Sequence, residues 1–377
     1  MTATLPQQAT SFSANGHRPG PSAEIAGALQ EELSKRLDGE VRFDAVSRML
    51  YSTDASNYQI EPVGVVVPRT IDDVLASIEV ATRFGVPLLP RGGGSSLAGQ
   101  TVGAALVMDF SKYVSRILDL DVEGQTVTVE PGINVQALNM QLRPTGLMFG
   151  PDPASAERAT AGGIVGNNST GSHSILYGMT GDNVMRTRAA LADGTVLELG
   201  PTTPEIMAGL ASENGSQGRL YSQLLAFRQR YAGLIERDFP RHWRRATGYS
   251  LDQLIKPDDE FNLARLLVSS EGTLATLLDV TFNLYQRPTK TGLVLLQFDN
   301  LVASMAATPA ILETDPSAVE LMGRLLINLT RSQPGFARQI AMIQGDPEAV
   351  LVVEYYGETE DELTRKAERL KQHLLDR

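Results

Sequence analysis

The 377-residue chain contains no cysteine. Disulfide scaffolds, cysteine-ligated zinc and cysteine-ligated iron–sulfur clusters are therefore excluded within it. The same absence fits a reducing compartment. Histidine is scarce, with four residues (His17, His173, His242 and His373). No apolar run reaches the length of 18 or more residues that marks a transmembrane helix. Positive charge is in deficit: 33 Lys and Arg against 44 Asp and Glu give a formal net charge of −11. That argues against a nucleic-acid binder, which normally carries a basic face, but leaves room for a local cationic pocket. Residues 1–22 lack an apolar h-region and read as a disordered leader. These readings point to the cytoplasm, with peripheral attachment at the inner face of the membrane left open.

What is present is enough for two or three domains. Apolar residues make up 42% and charged residues 20%, so a sizeable core is affordable. Ala23 to Leu37 has helical apolar spacing, and Val63 to Val67 is a β-branched run. Thr70 is placed to cap a helix running to Phe84 and stopping at Gly85, with Asp72 and Asp73 in its first turn. Strands are expected at 86–90, 105–109, 126–130, 263–269, 275–285, 293–298 and 350–356, with a hairpin over 189–199 around Asp193-Gly194. Helices are expected at 135–142, 302–313, 317–331 and 358–375, and 202–230 and 246–256 are mostly helical by composition. The stretch 150–171 reads as a loop of small residues.

The sharpest local signal is Pro90-Arg-Gly-Gly-Gly-Ser-Ser-Leu-Ala-Gly-Gln100. A strand delivers the chain into three glycines. Without Cβ atoms, several backbone N–H groups can converge on one anion, and Ser95 and Ser96 add hydroxyl donors. This chemistry suits a pyrophosphate. The Gly-Lys-Ser/Thr ending of a P-loop is missing. No G-x-G-x-x-G opens a helix with an acidic residue ~20 positions on, which sets aside a nicotinamide-dependent Rossmann enzyme. A flexible surface loop is the competing reading. Gly150-Pro-Asp-Pro153, Ala161-Gly-Gly163 and Gly166-Asn-Asn-Ser-Thr-Gly171 form a second signal. Here a flat heterocycle and its ribityl chain can pass near backbone, with asparagine amides as donors. A ligand-free turn cluster competes with that reading. Tyr177-Gly178, Gly181-Asp-Asn-Val184, Ala192-Asp-Gly-Thr195 and Ser270-Glu-Gly-Thr-Leu274 carry little singly; the last two read as ordinary turns.

In order and spacing, these motifs together resemble the FAD-linked oxidases of the vanillyl-alcohol oxidase/p-cresol methylhydroxylase type. The nearer similarity is to the branch of D-lactate, glycolate and D-2-hydroxyglutarate dehydrogenases, which Arg244-Arg-Ala-Thr-Gly-Tyr-Ser-Leu-Asp-Gln-Leu254 also resembles. The resemblance implies an α+β fold: an FAD-binding domain over 23–288 made of two α+β subdomains, near 40–130 and 131–288, then the start of an α+β cap over 289–377, short of a complete one. It implies FAD as cofactor, held noncovalently, because the first glycine loop lacks the histidine that links flavin in some relatives. Carried over by position, Arg91, Gly92, Gly93, Gly94, Ser95 and Ser96 would cradle the pyrophosphate. Pro151, Gly162, Gly163 and Asn167 would lie along the flavin side, Asp182 and Val184 near the adenosine, and Glu271 and Gly272 would complete the cleft. Gln100, Asp152, Asn168 and Gly171 belong to the same cofactor-binding set.

The implied chemistry is oxidation of a 2-hydroxy acid to the 2-oxo acid by hydride transfer to flavin while a base takes the hydroxyl proton. In this branch the base and a divalent metal usually come from cap motifs like His-x-x-Asp-Gly-Asn and Glu-His-Gly. Neither motif is present, and no metal ligand is assigned. His173, in Gly171-Ser-His-Ser174, and Arg245, in His242-Trp-Arg-Arg245, are the candidate catalytic residues: a histidine near the flavin or substrate oxygen, and a cation suited to a carboxylate. A hydrogen-bonded loop histidine and a surface arginine pair compete with these roles. The implied partners are a small 2-hydroxy acid, an electron acceptor that the sequence does not identify, and an iron–sulfur domain or subunit. The alternative function is a non-catalytic flavin-binding subunit or fragment whose base and metal come from elsewhere. A sugar-alcohol or aldonolactone oxidase on the same scaffold is a third.

Overall fold

The computed structural model describes residues 22–377 other than 247, 258–260, 337 and 339. The expected leader lies outside these residues apart from Ser22, and so does His17. Ser22 caps helix α1 (Ala23–Arg36) by accepting the Ile25 amide, and the apolar stripe of α1 buries Leu29 and Leu33 completely. Two short elements without a clear sequence signal follow, β1 (Glu40–Arg42) and α2 (Ala45–Tyr51). The valine run is β2 (Gly64–Val67), buried throughout. Helix α3 (Ile71–Phe84) takes its cap from Thr70, whose hydroxyl accepts from the Asp73 amide at 3.2 Å, and ends at Gly85 with φ +64°. With β3 (Leu88–Arg91) and β4 (Leu106–Asp109) the first sheet has the order β1-β2-β4-β3. Strands β2 and β3 run parallel to β4, and β1 runs antiparallel to β2. Leu29, Leu33, Val74, Ile78, Leu106 and Met108 form one core between α1, α3 and this sheet.

The second sheet begins with β5 (Ile117–Asp121) and β6 (Thr126–Val129). The chain then runs through α4 (Val135–Leu142), β7 (Leu147–Met148), α5 (Ala161–Asn167) and α6 (Ser174–Tyr177) to the hairpin β8 (Val184–Ala190) and β9 (Val196–Leu199). Helices α7 (Pro204–Ala211) and α8 (Ser216–Asp238) precede β10 (Thr276–Asn283) and β11 (Tyr285–Gln286). The order is β5-β6-β10-β8-β9, all antiparallel, while β11 pairs with β7. Because β5 and β6 pair here, the break between the sheets falls between Asp109 and Ile117, earlier than the expected 130.

Three sequence expectations give way. Leu263–Leu267 is a 3-10 helix rather than a strand, started by the buried Asn262, whose side-chain oxygen accepts the Ala264 amide at 2.9 Å. The small-residue stretch 150–171 contains α5, capped by Thr160 and held by burial of Ile164 and Val165. The helix expected over 317–331 is strand in its first part. There the C-terminal module has β12 (Lys290–Phe298), α9 (Leu301–Leu312), β13 (Ala318–Gly323), α10 (Arg324–Arg331), β14 (Ala349–Gly357) and α11 (Glu360–Leu375). Its antiparallel sheet has the order β12-β14-β13, and pairing with β14 draws Ala318–Gly323 into a strand. The whole is α+β. No helix among the described residues is long and apolar enough to cross a membrane.

Candidate functional site

A cleft of about 740 Å³, partly open to solvent, lies between the loops of the first sheet and those of the second. Arg91, Gly92 and Gln100 line it from one side; Gly162, Gly163 and Asn167 of α5 line it from the other, with Glu271 and Gly272. Eight of the expected cofactor residues therefore meet at one place. Sequence reasoning missed its floor, which includes Phe110, Pro131, Thr160, Leu267 and Leu277. Thr160 had a legible signal, a hydroxyl three residues before Gly163 at a helix start.

Gly92 leads into a loop with Gly93, Gly94, Ser95 and Ser96, and the N–H groups of these five residues donate to no protein acceptor among the described residues. Five consecutive free donors beside a cleft are a match for phosphate oxygens. The glycines also answer to packing. A Cβ on Gly92 would lie 2.1 Å from Thr160 Oγ1, and one on Gly93 would lie 2.0 Å from the Arg158 carbonyl oxygen. Arg91 is turned to the protein. Its guanidinium donates to the carbonyls of Thr53 (2.9 Å), Thr101 (3.1 Å) and Tyr51 (3.3 Å), so it braces the loop.

Across the cleft, the Ser96 hydroxyl donates to Gln100 Oε1, and Gln100 Nε2 donates to Glu271 Oε1 at 3.2 Å. Ser269, Glu271 and Gly272 all have positive φ, at +66°, +52° and +74°. The turn is pinned to α5 by Ser269 N–H to Val165 O (3.0 Å) and Glu271 N–H to Gly166 O (3.1 Å). Two non-glycine residues held in that region are backbone strain of the kind that collects at ligand sites. Ser269 Oγ is buried without a partner. The first amides of α5 are spent within the protein: Ala161 donates to Ile133, Gly162 to Pro131 and Gly163 to Thr160 Oγ1.

Other expected residues lie outside this cleft. Asn168 ends α5 at φ +48°. Its buried amide accepts from Gly181 N–H and donates to the Arg245 carbonyl, both at 2.9 Å. Pro151 is buried. Asp152 and Gly171 pack together so closely that a Cβ on Gly171 would meet the Asp152 carbonyl at 2.1 Å. Asp182 accepts the Met179 amide at 2.8 Å. Val184 is wholly buried, its carbonyl accepting from Asn262 and Arg265, each at 3.4 Å. Asp182, Asn168 and Arg245 line a second, smaller cavity of about 450 Å³.

The two candidate catalytic residues are both engaged. Arg245 forms an ion pair with Asp252 at 2.6 Å and sits over the Phe239 ring. Among the described residues, the side chain of its exposed neighbour Arg244 hydrogen-bonds to the Thr170 hydroxyl alone, at 2.9 and 3.1 Å, and lies over the Trp243 ring. His173 has Asp152 on Nδ1 and Glu354 on Nε2, each at 2.6 Å. Its hydrogen bonds to the accepting carboxylates, Asp152 first and then Glu354, lift its pKa to about 9, so at neutral pH both ring nitrogens donate and neither is free to accept a proton. No cluster of three or more His, Cys, Asp or Glu suited to a metal occurs among the described residues.

Residues 62–200 match the family described as FAD binding domain, and residues 287–376 match FAD linked oxidases, C-terminal domain. The chain is 30% identical over 350 residues to D-2-hydroxyglutarate dehydrogenase of Escherichia coli (strain K12), covering 91% of this chain and 34% of that protein. It is 33% identical over 204 residues to the glycolate oxidase subunit GlcD of Bacillus subtilis (strain 168), covering 52% and 43%. With the probable mitochondrial D-lactate dehydrogenase of Danio rerio it shares 28% identity, covering 81% and 52%. The chain thus spans about a third of the length of the D-2-hydroxyglutarate dehydrogenases it matches. Among solved structures, alkyldihydroxyacetonephosphate synthase superposes with a TM-score of 0.66 at 17% identity, over 95% of this chain and 60% of that one, a likeness of fold.

Proposed function

The chain belongs to the FAD-linked oxidase family, and on that premise we propose that it binds FAD noncovalently as the cofactor-binding part of an oxidoreductase oxidising a 2-hydroxy acid. The observation that carries the reading is the run of unpartnered amides from Gly92 to Ser96 beside a cleft shared with α5 and the Glu271–Gly272 turn. Those amides would hold the pyrophosphate, and Gly163, Asn167 and Gly272 would contact the cofactor along the cleft. When bound, FAD supplies an acceptor for the hydride leaving the substrate carbon. The relatives' names share one substrate chemistry, a hydroxyl on the carbon beside a carboxylate. For that carboxylate, Arg244 is the better cation, since Arg245 is neutralised by Asp252. Electrons would leave to an acceptor outside this chain. An iron–sulfur partner would need its cysteines on another segment or subunit, because this chain has none. A cytoplasmic site fits this reading.

The test is an absorption spectrum of the purified chain before and after anaerobic addition of D-lactate, D-2-hydroxyglutarate or glycolate. Flavin bands near ~450 nm that bleach with one acid support cofactor and substrate class together. Bands that persist with every acid favour the second reading, a flavin-binding part that takes its base from elsewhere. Its motivation is the double engagement of His173, which leaves no free imidazole there. Folded protein that takes up no FAD on reconstitution would overturn both.

A further inference from the structure

One imidazole joins three parts of the molecule. His173 stands at the N-terminal end of α6, Asp152 in the loop after β7, and Glu354 in the central strand of the C-terminal sheet. Asp152 holds the histidine twice, through Nδ1 at 2.6 Å and through its backbone N–H at 3.1 Å. Glu354 takes Nε2 at 2.6 Å, and its carboxylate is steadied by the Ser317 hydroxyl at 3.0 Å. The ring stacks on Tyr356 with centroids 5.4 Å apart and planes 16° apart. Tyr177 lies 6.5 Å from it and packs against Tyr285. The titratable groups facing the imidazole are thus Asp152, Glu354, Tyr177 and Tyr356. Two carboxylates on opposite ring nitrogens leave no place for a neutral tautomer that satisfies both.

We propose that His173 is a positioning residue, an ionic clamp that seats the central strand of the C-terminal module on the loops carrying Asp152 and Gly171. The clamp stands on these contacts and does not depend on the cofactor reading. The carboxylates raise the histidine pKa to about 9 from 6.5. A raised folded-state value means the clamp's stabilisation is complete below the unfolded pKa and is lost as pH rises through about 9.

The experiment is a histidine titration by NMR on the full chain with ¹³C-labelled histidine, alongside thermal unfolding at pH 6 and pH 10. His173→Gln assigns the resonance by its disappearance. The expected midpoint near 9 in the parent falls by more than one unit in Glu354→Gln, with Asp152→Asn as a second variant should that one fail to fold. The Tm gap between parent and His173→Gln is expected to be widest at pH 6 and to close by pH 10. A midpoint unmoved by loss of either carboxylate, or a Tm gap equal at both pH values, overturns the clamp. Flavin content of the parent is read separately: its absence would defeat the cofactor reading and leave the titration intact.

Discussion

Gly163 and Gly93 belong to the same proposed cofactor site, yet a side chain would meet different neighbours at each. On Gly163 a Cβ would touch only Thr160 Oγ1, at 3.3 Å, and it would do so at the wall of the cleft. On Gly93 it would collide with the Arg158 carbonyl. Gly163→Leu is therefore expected to cut the flavin-to-protein ratio at least ~10-fold while Tm moves by only a few degrees. Gly93→Val should cost about 1–3 kcal/mol through overpacking, read as a fall in Tm in flavin-free protein. An unchanged flavin ratio in Gly163→Leu would remove α5 from the cofactor wall. Motif order in the sequence was enough to bring Gly92, Gln100, Gly163, Asn167 and Glu271 to one cleft. It was not enough to say which polar side chains are free. Asn168 is committed to a carbonyl 77 residues away, and Arg91 to one 40 residues away. No local pattern encodes such partners.

Helix α3 shows what an element signals about itself. Thr70, the acidic first turn and Gly85 lie within one stretch, so its bounds could be read from capping chemistry alone. Asp73 does more than sit in that turn. Buried, it accepts the Asp38 amide at 2.9 Å and the Arg69 amide at 2.8 Å, tying α1 and β2 to the helix start. Thr70→Ala should cost about 1 kcal/mol and Asp73→Ala about 2–3 kcal/mol, because two part-buried hydrogen bonds to a buried, charged acceptor are lost. Urea unfolding checks both; equal costs would mean that Asp73 acts only as a helix residue. Elements whose form depends on neighbours were misread. In 317–331 the leucines repeat at helical spacing, and only the edge of β14 makes Ala318–Gly323 a strand. In α5 three glycines argue against a helix, and burial of Ile164 and Val165 outweighs them.

At the scale of the whole molecule, the number of strands was largely legible and their pairing was not. Strand β10 lies between β6 and β8, so Thr128 and Thr281, 153 residues apart, share a hydrogen bond at 2.9 Å. Periodicity reports each strand's faces and is silent about its neighbours. The chain as a whole also bears on how flavin is retained. It has no cysteine, no histidine in the 91–96 loop, and His173 has both nitrogens engaged. Acid precipitation of flavin-loaded protein should leave the flavin in solution; a yellow pellet would disprove noncovalent binding. The late place of β10 also sets an order in time. The first sheet has all its strands once Asp109 has been made, but the second lacks its middle until residue 283. The Glu271–Gly272 turn arrives just ahead of that strand. A nascent chain would therefore carry the 92–96 loop and α5 through the synthesis of the residues up to 270 before the Glu271–Gly272 side of the cleft exists. Completion of the proposed cofactor cleft then waits on this slow long-range pairing.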